Sequence, residues 1–112
     1  MRNIYLSNAF SIQMICLNKE TSVKFKEISL NEVKEFLKEN KFVSAIGHQD
    51  TANILTEILE IPVKQNRVNI NLNKDDVLYV AQLIGGRLPE GTTTLPEGFE
   101  FKFIKVYLSD SI

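Results

Sequence analysis

Arg67-Val68-Asn69-Ile70-Asn71-Leu72 runs into Asn73-Lys74-Asp75-Asp76 and then Val77-Leu78-Tyr79-Val80-Ala81-Gln82-Leu83. The first six residues alternate polar and apolar with a clean period of two, as a strand with one buried face does. The four that follow are turn formers. The last seven are apolar with little interruption and read as a strand more fully buried than the first. The stretch therefore predicts two strands joined by a turn, and so a sheet at the centre of the fold.

Working outward from it, Gly85-Gly86-Arg87-Leu88-Pro89-Glu90-Gly91 is a loop by composition. Phe99 to Leu108 predicts a long closing strand, and its alternation (Phe99, Phe101, Phe103) changes phase at Ile104. That break predicts a bulge or a change of neighbouring strand. On the other side, a helix is predicted from about Thr51 to Glu60, with Ala52, Leu55, Ile58 and Leu59 inward and Pro62 beyond its end. Ser29 and Glu32 form a capping box for an earlier helix. Its apolar face is Leu30, Val33, Phe36 and Leu37, and Asn40 is its stop. Val23, Phe25 and Ile28 against Lys24, Lys26 and Glu27 predict a half-buried strand. Ile4 to Leu6 predicts a short opening one, with Asn8-Ala9-Phe10-Ser11 as a polar loop after it. Strands, two helices and then mostly strands imply an α/β arrangement of the α+β kind. Its mixed sheet has about five strands, packed with two main helices.

The 112 residues form one domain, 1–112, with no repeat, linker or low-complexity tract to divide it. Thirteen basic against fourteen acidic residues leave a formal charge of −1, so whole-molecule attraction does not drive binding to long nucleic acid. No apolar run approaches the roughly 18 residues of a membrane span. No signal-peptide core opens the chain. Cys16, the single cysteine, makes no internal disulfide. These features predict a cytoplasmic protein.

The candidate chemistry starts at the only histidine. In Phe42-Val43-Ser44-Ala45-Ile46-Gly47-His48-Gln49-Asp50-Thr51 an apolar run ends in glycine, then His48, then Asp50 as a cap for the predicted helix. An imidazole at that place meets free backbone N–H groups and the positive end of a helix dipole, which suits a phosphate. Asn8, Ser11, Arg67, Gln82, Arg87 and Glu90 lie in loops or at strand ends, where sheet proteins bind ligands. Arginine offers forked donors to phosphodiester oxygens, and a glutamate can hold an imidazole proton for delivery. Each residue also has a plainer reading. A lone histidine beside glycine serves as a turn or cap, exposed arginines make surface ion pairs, and Asn8 and Ser11 satisfy their own backbone. One histidine, one cysteine and no close carboxylate cluster build no metal site, and Asp75-Asp76 is explained by a solvated turn. Nucleophile-elbow, Walker and dinucleotide fingerprints are missing. From the residues alone, the reading ends at a phosphate-handling pocket.

Four motifs in order carry it further: Asn8-Ala9-Phe10-Ser11, Ser44-Ala45-Ile46-Gly47-His48, Asn66-Arg67-Val68 and Arg87-Leu88-Pro89-Glu90-Gly91. With them the chain, from Ile4 to about Val106, resembles the viral ring nucleases. These are type III anti-CRISPR enzymes of archaeal viruses, bacteriophages and bacterial mobile elements. The resemblance implies a homodimer that degrades cyclic tetra-adenylate without metal or cofactor. His48 aligns with the catalytic histidine and Glu90 with the glutamate that assists it. Arg67 and Arg87 align with ligand-gripping arginines, and Asn8, Ser11, Gln13 and Gln82 with polar ligand contacts. Gln13 stands where viral members carry asparagine, and Asp50 where they carry serine. A non-catalytic binder of the same messenger and a small DNA-binding regulator are the alternative readings.

Overall fold

In the computed structural model, which describes residues 2–16 and 20–109, the axis of the sheet is β4 (Val77–Ile84). Val77 to Ala81 are buried without a break, because both faces of this strand are covered. On one side β4 pairs in parallel with β1 (Ile4–Ser7), which pairs in parallel with β3 (Val43–Ser44). On the other side it pairs antiparallel with β5 (Glu100–Ser109), which pairs antiparallel with β2 (Ser22–Ile28). The order across the sheet is β2-β5-β4-β1-β3. The mixed sheet of five strands and two helices agrees with the predicted fold class.

Both helices lie against one face. Val33 and Leu37 of α1 (Leu30–Glu39) and Ala52, Leu55 and Leu59 of α2 (Gln49–Leu59) pack on Ile4, Leu6, Tyr79, Ala81 and Phe103. Ser29 caps α1 as predicted, with Glu32 N donating to Ser29 Oγ at 3.1 Å, but the reciprocal bond of a capping box, from Ser29 N to the Glu32 carboxylate, is not formed. At its far end Asn40 Nδ2 donates to the carbonyl of Phe36 at 2.8 Å, satisfying one of the last helical acceptors. Among the described residues the opposite face is covered by no α-helix: Ile70 and Leu72 join Leu78, Val80 and Val106, with Phe10 and Met14 beside them.

That second cover corrects the reading of Arg67–Leu72. This segment is not a strand of the sheet. Leu72 N donates to Met14 O at 2.7 Å, and Leu72 makes an isolated bridge to Ile15. Ile70 and Leu72 turn inward while Asn69 and Asn71 face out. An extended strap laid across a sheet shows the same period as a strand within it, so alternation alone does not distinguish the two. The fifth strand is instead the two-residue β3, too short to show any period.

The phase change in β5 is not a bulge. Register runs unbroken from Ser22↔Ser109 to Ile28↔Phe103 and from Val77↔Tyr107 to Ile84↔Glu100. Phe101 and Phe103 face the helices, whereas Ile104 and Val106 face the strap. The apolar residues change parity because the strand passes from one covered face to the other. Nor is Asp76 a solvated turn residue. It is 2% exposed, and its two carboxylate oxygens accept from Asn3 N and Asn73 N, each at 2.9 Å. Its charge adds to burial, the larger cause, in raising the phenol of Tyr5 above its ordinary value.

Candidate functional site

The parallel strands β3, β1 and β4 all end at the same edge of the sheet, and an open cleft of about 1090 Å³ lies beyond those ends. Parallel strands bring their C-terminal loops together, which is why ligands collect at such edges. Asn8 enters from β1, His48 and Asp50 from the β3–α2 junction, Gln82 from β4, and Arg87 and Glu90 from the loop that follows. Five of the predicted site residues, Asn8, His48, Gln82, Arg87 and Glu90, thus share one wall-to-wall space.

His48 is exposed and is itself the N-cap of α2, which begins at Gln49 and not at Thr51. Its carbonyl accepts from Ala52 N at 3.0 Å, while its imidazole makes no capping bond. The ring is therefore available to a ligand, next to the unpaired N–H groups of the first turn. Asp50, expected as the cap, lies inside that turn and accepts instead from Gly91 N at 3.0 Å. Its backbone is already helical, and an N-cap must be extended.

A strand of two residues is a weak anchor for the loop that carries His48, and the chain supplies a second one. Asn66 N donates to Ile46 O at 2.8 Å, and Asn66 Nδ2 to Ser44 O at 2.7 Å. Ser44 Oγ donates to Lys64 O at 2.7 Å. Arg67 Nε and Gln65 Nε2 both donate to Gly47 O at 3.0 Å. The segment 64–67 so fixes the peptide that leads into His48. Arg67 is not among the residues lining the cleft; its Nε holds the carbonyl of Gly47, the residue before His48.

Ser11 and Gln13 stand apart from the cleft lining. Ser11 caps a short 3₁₀ turn, Ile12–Met14, by accepting from Gln13 N at 3.3 Å, and both residues are exposed. The sequence reading missed Gln65 and Ser44 as supports and Phe101 as an apolar wall of the cleft. Nothing in their local pattern marks them, because their roles arise from segments distant in the chain. Among the described residues, no group of three or more His, Cys, Asp or Glu side chains is placed to hold a metal ion. No helix among them is long and apolar enough to cross a membrane.

The fold and cleft define a small α+β protein that presents polar loops beyond the ends of parallel strands. The chain belongs to the STIV B116-like family, whose profile matches residues 4–108. It is 31% identical over 107 residues to ORF116 of Acidianus filamentous virus 1, a match spanning 92% of this chain and 90% of that one. With protein 26 of Sulfolobus islandicus filamentous virus it shares 38% identity over 73 residues, 65% of this chain and 61% of the relative. B116 of Sulfolobus turreted icosahedral virus has the same fold, with a TM-score of 0.78 over 94% of this chain and 98% of that one. At 24% identity, that likeness concerns the fold alone.

Proposed function

We propose that this protein is a ring nuclease that cleaves cyclic tetra-adenylate to linear di-adenylate ending in a 2′,3′-cyclic phosphate, and so switches off type III CRISPR signalling. The observation that carries this reading is the meeting of His48 and Glu90, far apart in sequence, in one cleft with Arg87. An imidazole, a carboxylate and a guanidinium are the groups that phosphodiester transfer to an internal hydroxyl requires.

In the proposed reaction a ribose 2′-oxygen bonds to its neighbouring phosphorus as the bond to the 5′-oxygen breaks. The hydroxyl proton passes to water, and His48 delivers a proton to the departing 5′-oxygen. Glu90 orients the imidazole. Arg87 neutralises charge on the phosphorane, with Asn8 and Gln82 fixing the nucleotide. Arg67 supports the loop of His48, a role that a ligand-gripping arginine can combine with contact through its remaining guanidinium N–H groups. Ser11 and Gln13 reach the ligand in this scheme only when it extends past the cleft. A second copy of the chain would present a second His48 to the opposite phosphodiester of a four-unit ring, which suits a two-fold homodimer.

The test is incubation of purified protein with cyclic tetra-adenylate in the presence of a chelator, with products identified by mass. Di-adenylate bearing a cyclic phosphate is expected, and His48→Ala should bind the ring without cutting it. A wild-type protein that binds the ring and returns it intact would replace this reading by sequestration. Full turnover by His48→Ala would remove the assigned mechanism.

A further inference from the structure

The loop between β4 and β5 carries Arg87 and Glu90, and it is held at two places. Its neck is pinched where Gly85, at φ 119°, passes Gly98; a β-carbon on Gly85 would stand 2.7 Å from the Gly98 carbonyl oxygen. Its tip is a tight turn, Pro89 to Thr92, closed by Thr92 N donating to Pro89 O at 3.2 Å. Gly91 in that turn takes φ +82° with open space around it, so it is backbone conformation and not crowding that favours glycine there. The N–H of Gly91 donates to Oδ2 of Asp50, in the first turn of α2, at 3.0 Å. Among the described residues, no other hydrogen bond joins the tip to α2.

Asp50 lies two residues after His48, and Gly91 directly follows Glu90. One hydrogen bond therefore spans the two loops that carry the proposed acid and its partner. We propose that Asp50 is a positioning residue, a latch whose carboxylate holds the Pro89–Thr92 turn over the cleft and sets Glu90 opposite His48. The catalytic consequence rests on the ring-nuclease reading; the latch itself does not. Asp50 touches no reacting atom in this scheme. It acts through the Gly91 peptide, and a carboxylate acceptor makes that bond stronger than a neutral one would.

Two measurements separate the latch from the chemistry. In the free protein, amide exchange of Gly91 should quicken about tenfold in Asp50→Ala, with the exchange of β4 unchanged, and Asp50→Asn should keep much of the protection through its amide oxygen. With cyclic tetra-adenylate, kcat should fall about tenfold in Asp50→Ala at little change in KM, and Asp50→Asn should restore most of it. Equal Gly91 exchange in wild type and Asp50→Ala overturns the latch. Wild-type kcat in Asp50→Ala, or an Asp50→Asn no better than the alanine variant, overturns the positioning role. No cleavage by wild-type protein sinks the ring-nuclease reading and the catalytic half of this proposal, and Gly91 exchange then decides the latch alone.

Discussion

The two ends of β4 use an aspartate in opposite ways. At its start, Asp76 is buried and spends both oxygens on backbone N–H groups, tying the turn at Asn73 to the segment entering β1. Past its other end, Asp50 reaches from α2 to a single amide in an exposed loop. A smaller cleft of about 580 Å³ lies at the Asp76 end, lined by Arg2, Lys74, Lys105 and Tyr107 among others. Yet the backbone there is pinned by two bonds to one carboxylate, whereas among the described residues a single hydrogen bond joins the tip of the loop bearing Arg87 and Glu90 to α2. A buried, doubly bonded carboxylate stabilises a fold. A partly exposed one with a single bond ties a surface loop to a helix at one point.

The sharpest way to break this contrast is at the open end. His48→Ala should lower ring cleavage by about a hundredfold or more while leaving the melting temperature unchanged, since the imidazole is exposed and makes no capping bond. A large stability loss in that variant, seen by calorimetry, would make His48 a structural residue. The converse holds at the closed end. Asp76→Ala should cost about 3 kcal/mol in denaturant unfolding, because two part-buried backbone N–H groups lose a charged acceptor. Cleavage per folded molecule should stay at the wild-type level, and a specific loss of turnover would contradict the division between the ends.

Arg87→Ala tests the loop more gently. Ring affinity should weaken by about tenfold and turnover should also fall, with unfolding unaffected, as calorimetric titration and product analysis would show. The smallest effect concerns Tyr79 in the pinned half of β4. Burial, the largest cause, raises its phenol above the ordinary value of 10.0; Arg2 opposes this and Glu32 adds to it. A folded protein that holds this proton longer than the unfolded chain has a stability contribution fully present below pH 10.0. That contribution is lost as pH rises past that value. Tyr79→Phe should flatten the alkaline end of the stability curve, and an unchanged slope in urea melts above pH 10.0 would refute the assignment.

Local chemistry was readable wherever its cause was local. The Ser29 cap, the apolar face of α1, the apolar run Val77–Ala81 and the length of β5 all follow from residues a few positions apart. The site was readable as a set of residues, five of which share the cleft. Its supports were not. Ser44, Gln65 and Asn66 matter because segment 64–67 lies beside 44–47, and no pattern within either segment announces the other. Arg67 reads as a phosphate donor by type, and only its position behind Gly47 reveals its second task.

Residue order alone determined which segments are helical, which run extended and which carry the polar groups, since periodicity and capping act over one or two turns of chain. Tertiary structure decided whether an extended segment became a strand or a strap: Arg67–Leu72 and Val77–Ile84 are both extended, but only the second found a neighbour with free N–H and C=O groups in register. It also decided that Asp50 faces Gly91 and that Asp76 is buried. Backbone pairing and burial depend on what arrives from elsewhere in the chain, and that is set only when the sheet closes around β4.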